Sequence, residues 1–295
     1  MKISEYAKHL LLSESIEDKL LPPSTTWEEE GDLLPLRIEK PIRSKQLQFS
    51  DKKSKIPRLE HLNQISARGL TLHHFANHEL MAIELFAWAL LAFPDVSRSI
   101  RMGFLKTIAE EQTHLRMYLE RMHSFGIGFG DIPVNYLFWK QTHRMTTVER
   151  FSAILSLTFE GANLDYSQIY AQAFLYHGDI ETAEIMIRIF EDEVKHVKRG
   201  VQILKKSIPT EQTDWDQYRS LIEYPFTPRR AKGYFYFGET RRMSGLSEHF
   251  VNGLDSYRDE YTDRINLNGL GQIKIKDRIL RKTDLQNPNL YLQML

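Results

Sequence analysis

Between residues 58 and 206, apolar residues recur every three or four positions in four long stretches. That spacing lines one face of an α-helix. The first stretch follows Pro57 and ends at Phe93, with Leu72, Phe75, Ile83, Phe86 and Leu90 on its stripe. Phe93-Pro94-Asp95 breaks it, and Asp95 or Ser97 is placed to cap the second, from about Val96 to His123. The second carries Phe104, Ile108, Leu115, Tyr118 and Met122. The third opens at Thr146 and Glu149, a capping-box spacing, and carries Ala153, Leu157 and Leu164. The fourth opens at Asp179, a good N-cap, and runs to about Lys206 on Ile185, Met186, Ile189, Val197 and Val201. The pattern predicts two helical hairpins, joined by a long connection at 124–145 that holds a short helix.

A glutamate interrupts each stripe: Glu79, Glu111, Glu160 and Glu193. A bare carboxylate on an apolar face is costly unless a proton or a metal ion relieves it. Two of the four continue as Glu-x-x-His, in Glu111/His114 and Glu193/His196, and residues three apart share a helix face. A third such pair, Glu120/His123, has only Trp88 or Ala87 at the matching distance upstream and reads as a helix end. Repetition singles out the other two. Glu79 precedes Glu111 by 32 residues, Glu160 precedes Glu193 by 33, and the halves repeat at an offset of 81 or 82. One Glu from each of two helices, with Glu-x-x-His from each of two others, is the ligand set of a carboxylate-bridged dinuclear metal site. Glu79 is preferred to Glu84 on the first helix. It lies 14 residues before Phe93 and Glu111 lies 15 after Val96, so at about 1.5 Å per residue the two reach the same depth.

Two tight hairpins and a long crossover give a ferritin-like topology for the predicted all-α bundle. Residues 1–20 read as one short amphipathic helix stopped by Pro22-Pro23, and 21–57 as an extended, Pro-rich arm. The predicted organisation is a helix and arm over 1–57, a four-helix bundle over 58–206, and a C-terminal extension over 207–295. Beyond Pro209 the periodicity weakens. One short helix is expected near 246–258, and 259–295 reads as a polar appendage.

Composition narrows the chemistry. The 295 residues hold 39 basic and 39 acidic side chains and no cysteine. Balanced charge supplies no general attraction to nucleic acid or an anionic membrane. A local cluster, Arg229, Arg230, Lys232, Arg241 and Arg242, reads as a solvated basic face. The lack of cysteine rules out disulfides, iron–sulfur ligation and thiolate metal sites, and fits a cytoplasmic setting. The start of the chain lacks a signal-peptide core. The longest apolar run, Leu85–Phe93, is too short to span a bilayer.

Four carboxylates balance two divalent ions, and neutral imidazoles add no charge, so the set calls for two metals. Oxygen and imidazole donors suit iron or manganese: two iron ions, or a mixed manganese and iron pair. Metal-bound imidazoles give their other N–H to a carboxylate, and Asp192 toward His114 and Glu110 toward His196 are the candidates. Glu84 and Asp165, each five residues after a ligand Glu, are candidate supporting groups. His73, His74 and His78 read as polar groups capping a bundle end, and Tyr118, one turn past His114, as a core phenol.

The stretches ANHELMAIELFAWAL, AEEQTHLRMY, TFEGANLD and DEVKHVKRG, with RIEKPIRSKQLQF and GETRRMSGLSEHFVNGL, resemble the bacterial family known as domain of unknown function 455, within the ferritin-like diiron-carboxylate superfamily. The resemblance covers about residues 30–255. It implies one ferritin-like domain with arms and a nonhaem dinuclear iron site on Glu79, Glu111, His114, Glu160, Glu193 and His196. Related branches include tRNA hydroxylases, O2-activating oxidases and rubrerythrin peroxidases. The expected function is an O2-activating oxidoreductase, a hydroxylase or oxidase, using O2 or peroxide, an external electron donor and a substrate the sequence does not name. The alternatives are a ferritin-like iron-handling or peroxide-scavenging protein and a helical interaction protein with a structural metal site. No membrane partner is expected, nothing in the sequence favours nucleic acid, and a homodimer is left open.

Overall fold

The computed structural model describes residues 1–28, 30–31, 33–52, 54–259 and 273–286, and among them the protein is all-α, with no strand beyond an isolated bridge between Phe49 and Val134. The chain divides into two units, Met1–Ile56 with Ile65–Val148, and Pro57–Gln64 with Glu149–Leu295.

The first unit is built on α3 (Ile65–Ala92) and α4 (Arg98–Ser124). Phe86 meets Phe104 at 5.5 Å and Phe75 meets Tyr118 at 5.8 Å, so the two helices run antiparallel, as the tight link predicts. The first helix starts later than expected after Pro57, because Leu59–Asn63 forms a 3-10 turn and Gln64 is extended. Ser97 stands at the cap position of α4, but its hydroxyl bonds Ser99 instead. By length and composition α3 could cross a membrane, beyond what the run Leu85–Phe93 suggests, yet 94% of its most apolar window is buried inside the protein. Its apolar character is that of a core helix.

The single N-terminal helix expected over 1–20 is two, α1 (Ile3–Leu12) and α2 (Ile16–Lys19). Ser13 is extended and ends α1, and the Ser15 hydroxyl caps α2 by accepting from the Asp18 amide. The arm lies along α3. Leu36 N donates to Leu91 O at 2.9 Å, and the Trp88 indole donates to Ile38 O at 3.0 Å.

In the second unit, α5 (Val148–Ile154), a π-helical turn (Leu155–Phe159) and α6 (Glu160–Tyr176) form one continuous rod, followed by α7 (Ile180–Lys206). Asp179 caps α7 as expected, accepting from Thr182 N at 3.1 Å. At Gly200 of α7, an added Cβ would stand 2.6 Å from the Ser156 Cβ, so only glycine allows this approach to the π turn.

The region beyond Pro209 holds more structure than its weak periodicity suggests: α8 (Asp214–Leu221), α9 (Gly238–Met243), α10 (Glu248–Ser256) and α11 (Lys282–Leu285). α10 is the short helix expected near 246–258; the others are too short for periodicity to declare them, but the caps of α8 and α10 are local. Thr213 with Asp216 boxes the start of α8, and Ser247 caps α10. Tyr218, Leu246, Phe250 and Leu254 join Leu157, Leu164, Phe190 and Val197 in one core. Of the expected appendage, 260–272 and 287–295 lie outside the described residues. Part of the remainder is held firmly. Gln168 exchanges hydrogen bonds with the Leu280 backbone, and Gln172 with Lys276 and Arg278.

Candidate metal centre

Each unit carries its own cluster of two glutamates and a histidine. In the first, α3 supplies Glu79 and α4 supplies Glu111 and His114, all buried. His114 Nδ1 lies 2.9 Å from Glu111 Oε2 and 3.9 Å from Glu79 Oε2. In the second, α6 supplies Glu160 and α7 supplies Glu193 and His196, again buried. His196 Nδ1 lies 3.5 Å from Glu193 Oε2 and 3.9 Å from Glu160 Oε1. Within either cluster the three donor atoms lie inside 4.8 Å of one another, close enough to hold a metal ion.

The donors fit that role. Two buried carboxylates beside a neutral imidazole carry two negative charges, which one divalent ion would neutralise. Protonating the histidine would leave the cluster one charge short. The donors are oxygen and imidazole nitrogen, the chemistry of iron and manganese sites.

Glu84 lies five residues beyond Glu79, but its carboxylate is engaged elsewhere. Arg43 Nε and NH2 donate to it at 2.9 and 2.6 Å, Lys19 Nζ stands 3.0 Å away, and the Trp139 indole donates at 3.2 Å. Burial pushes the Glu84 pKa up, but Arg43 and Lys19 outweigh it and hold the group below its usual value. Burial lowers the Lys19 pKa, opposed by Glu84. Asp165, five residues beyond Glu160, is held in a similar way. Arg241 grips both its oxygens, and the amides of Gly233 and Phe237 each donate at 2.9 Å.

Asp192 is buried on α7, with Lys195 Nζ at 2.7 Å and Arg188 NH2 at 3.0 Å, while Glu110 is half-buried on α4. The three upstream histidines have local tasks. Gly130 N donates to His73 Nε2 at 2.9 Å, His74 Nε2 meets the Ser54 hydroxyl at 3.2 Å, and His78 stacks on Phe138. Burial, with the charge of His74, depresses the His73 pKa to about 4. Tyr118 packs on Phe75 in the core.

The basic cluster is only in part the solvated face expected from sequence: Arg230 and Arg242 are exposed. Lys232 and Arg241 are buried. Lys232 Nζ donates to the carbonyls of Leu254, Asp255 and Tyr257. Arg229 donates to the carbonyls of Lys232 and Gly233, and Arg242 pairs with Glu248. These cations hold the C-terminal extension together.

Sequence reasoning missed Asn163, whose Nδ2 donates to Glu193 Oε1 at 2.9 Å. Its position three residues past Glu160, on the same helix face, was the available signal. It also missed Arg43, Lys19 and Arg241, which meet their carboxylates from 41, 65 and 76 positions away in the chain.

No characterised protein and no solved structure matches the chain. A family model does, that of the "Protein of unknown function (DUF455)" family, over residues 6–252, which takes in both clusters, the whole Pro-rich arm and the first half of α10. With that match covering most of its length, the chain belongs to the DUF455 family.

Proposed function

We propose that the two clusters together form one dinuclear nonhaem iron centre within a ferritin-like four-helix bundle, and that the protein is an O2-activating oxidoreductase. The observation that carries this reading is the repeat. Two separate helix pairs present the same three donor types, buried and with every His-to-Glu separation under 4 Å, at an offset of 81 or 82 residues. A lone structural ion would need only one of them. Four carboxylates against two neutral imidazoles suit two divalent ions.

The chain's own residues would do the following. Glu79 and Glu160 each supply a carboxylate from the first helix of a pair, and the Glu-x-x-His pairs supply the rest. Asn163 fixes the orientation of Glu193. Asp192 and Glu110 are proposed to orient His114 and His196 by accepting the second imidazole N–H. The bound irons would supply the electrons that reduce O2. With no cysteine in the chain, the reducing equivalents would come from a separate donor, which suits a cytoplasmic protein. A mixed manganese and iron pair uses the same donors.

Elemental analysis of protein expressed with iron and manganese present tests the centre, with two ions per chain expected. The reduced, iron-loaded protein should consume O2, and Glu111→Ala or Glu193→Ala should abolish this. One zinc per chain, or no metal, would overturn the centre. Two irons without O2 consumption would leave an iron-binding protein and overturn the oxidoreductase. Mineral growth far beyond two irons would move the reading to iron storage.

A further inference from the structure

The π-helical turn stands immediately before Glu160, and the Glu160 amide closes it by donating to Leu155 O. A π turn inserts one residue into an α-helix. Each α-helical residue turns the chain by about 100°, so the insertion decides which way Glu160 faces relative to the helix before it. Such a turn costs helix geometry and needs outside support.

The support comes from the C-terminal extension, on both sides of Glu160. On one side, the Thr158 hydroxyl donates to Ala153 O at 2.8 Å, using its only proton. The Tyr218 hydroxyl, 2.7 Å from Thr158 Oγ1, must then be the donor to it. Both side chains are fully buried. On the other side, Arg241 NH2 donates to Gly161 O at 2.8 Å and to Ala231 O at 2.7 Å, while the same guanidinium holds Asp165. Gly233 completes the grip. An added Cβ there would fall 2.9 Å from the Asp165 Cβ, and its absence lets the extension's backbone reach the carboxylate.

We propose that Tyr218 and Arg241 make the C-terminal extension a positioning clamp, which maintains the π turn at Leu155–Phe159 and thereby aims the Glu160 carboxylate at its metal. This rests on the reading of Glu160 as a ligand. The extension is thus part of how the centre is assembled, although none of its residues supplies a ligand.

The test uses the full chain with Tyr218→Phe, Thr158→Val and Thr158→Ser, and Leu246→Ala as a control in the same core. Two quantities are read: amide hydrogen exchange across 155–161 in metal-free protein, and iron affinity and stoichiometry by chelator competition. Tyr218→Phe and Thr158→Val are expected to speed exchange across 155–161 and to weaken one of the two irons by about ten- to a hundredfold, the scale of supporting-residue effects at metal sites. Thr158→Ser keeps the hydroxyl and should restore both. Leu246→Ala should lower the melting temperature and leave iron binding alone. Unchanged exchange in both Tyr218→Phe and Thr158→Val overturns the clamp. Faster exchange with unchanged iron binding overturns its link to Glu160. If wild-type protein binds no iron, the dinuclear reading fails, and the exchange arm alone still decides whether the clamp exists.

Discussion

The two helix pairs agree closely at the donors and differ around them. In each, a Glu on the leading helix meets a Glu-x-x-His on the following one. In each, a second buried carboxylate five residues on is locked by an arginine from outside the hairpin, Arg43 from the N-terminal arm for Glu84 and Arg241 from the C-terminal extension for Asp165. One turn from the donors the likeness ends. Phe75 and Tyr118 fill that level in the first pair with two rings, whereas Ser156 and Gly200, 81 and 82 positions later, let the second pair close to backbone distance beside a π turn. The repeat keeps what holds charge and changes what fills space. Charge needs a partner wherever it is buried, while volume can be supplied in many ways.

The shared arginine lock gives the largest expected effect. Glu84→Ala would leave Arg43 and Lys19 buried without their counter-charge, and Asp165→Ala would do the same to Arg241 while stripping two amides of their acceptor. Each should cost about 3–5 kcal/mol, the usual penalty for breaking a buried pair from one side. Denaturant unfolding with both variants measures it. A loss below about 1 kcal/mol in either would show that this lock behaves like a surface pair, and the parallel between the halves would break there.

The spatial difference comes next. Gly200→Ala forces a methyl group to within 2.6 Å of Ser156, and overpacking of this kind costs about 1–3 kcal/mol. Tyr118→Phe, at the matching level of the first pair, keeps the ring and should change stability by less than about 1 kcal/mol. Thermal melts of the two variants side by side sharpen the contrast. Equal losses would mean the two levels are packed alike.

What the sequence made legible follows the same division. The four long helices and the Asp179 cap rest on local spacings, and here expectation and structure agree; the repeat of Glu and Glu-x-x-His combines spacings of 32 and 33 residues with an offset of 81 or 82. The donors stand out because a carboxylate interrupts an apolar stripe. Arg43 and Arg241 left no such mark. Each sits in a polar, Pro- or Gly-containing stretch, where an arginine bound to a buried carboxylate reads the same as one in water. The π turn was hidden too, because Leu155, Ser156, Leu157, Thr158 and Phe159 are ordinary helix residues, and the cause, Tyr218, lies 60 positions on. Short helices such as α8 and α9 span too few turns for a period to show.

A smaller effect separates the halves by pH. His73, His74 and His78 on α3 have Ile154, Leu155 and Phe159 as counterparts 81 residues on, so only the first pair carries this imidazole group, with His73 and His74 buried. The His73 pKa in the folded protein, about 4, lies below its ordinary 6.5. As pH falls below 6.5 the unfolded chain therefore takes up a proton that the folded protein refuses, and stability drops until about pH 4. His73→Gln keeps an acceptor for Gly130 N and should flatten this part of the profile, by about 1 kcal/mol across the window. Melting temperatures of wild type and variant at steps from pH 7 to 4 give the comparison. Parallel curves would assign the acid sensitivity to other groups.

The finest difference concerns one hydrogen bond. Asn163 donates to Glu193 in the second pair, and the residue 81 positions before it is Ala82, which has no side-chain donor. A carboxylate held by a donor that is not itself a candidate ligand loses less freedom when it binds a metal, so Asn163 should strengthen metal binding at Glu193. Asn163→Ala is expected to weaken one ion by about tenfold, the lower end of the range for supporting residues, and to leave the other unchanged. Stepwise iron titration resolves the two events. If both weaken together, the effect of Asn163 is not confined to the second cluster. If only one does, Asn163 acts on the Glu160, Glu193 and His196 cluster alone, and the unequal surroundings of the repeated residues make the two halves bind metal differently.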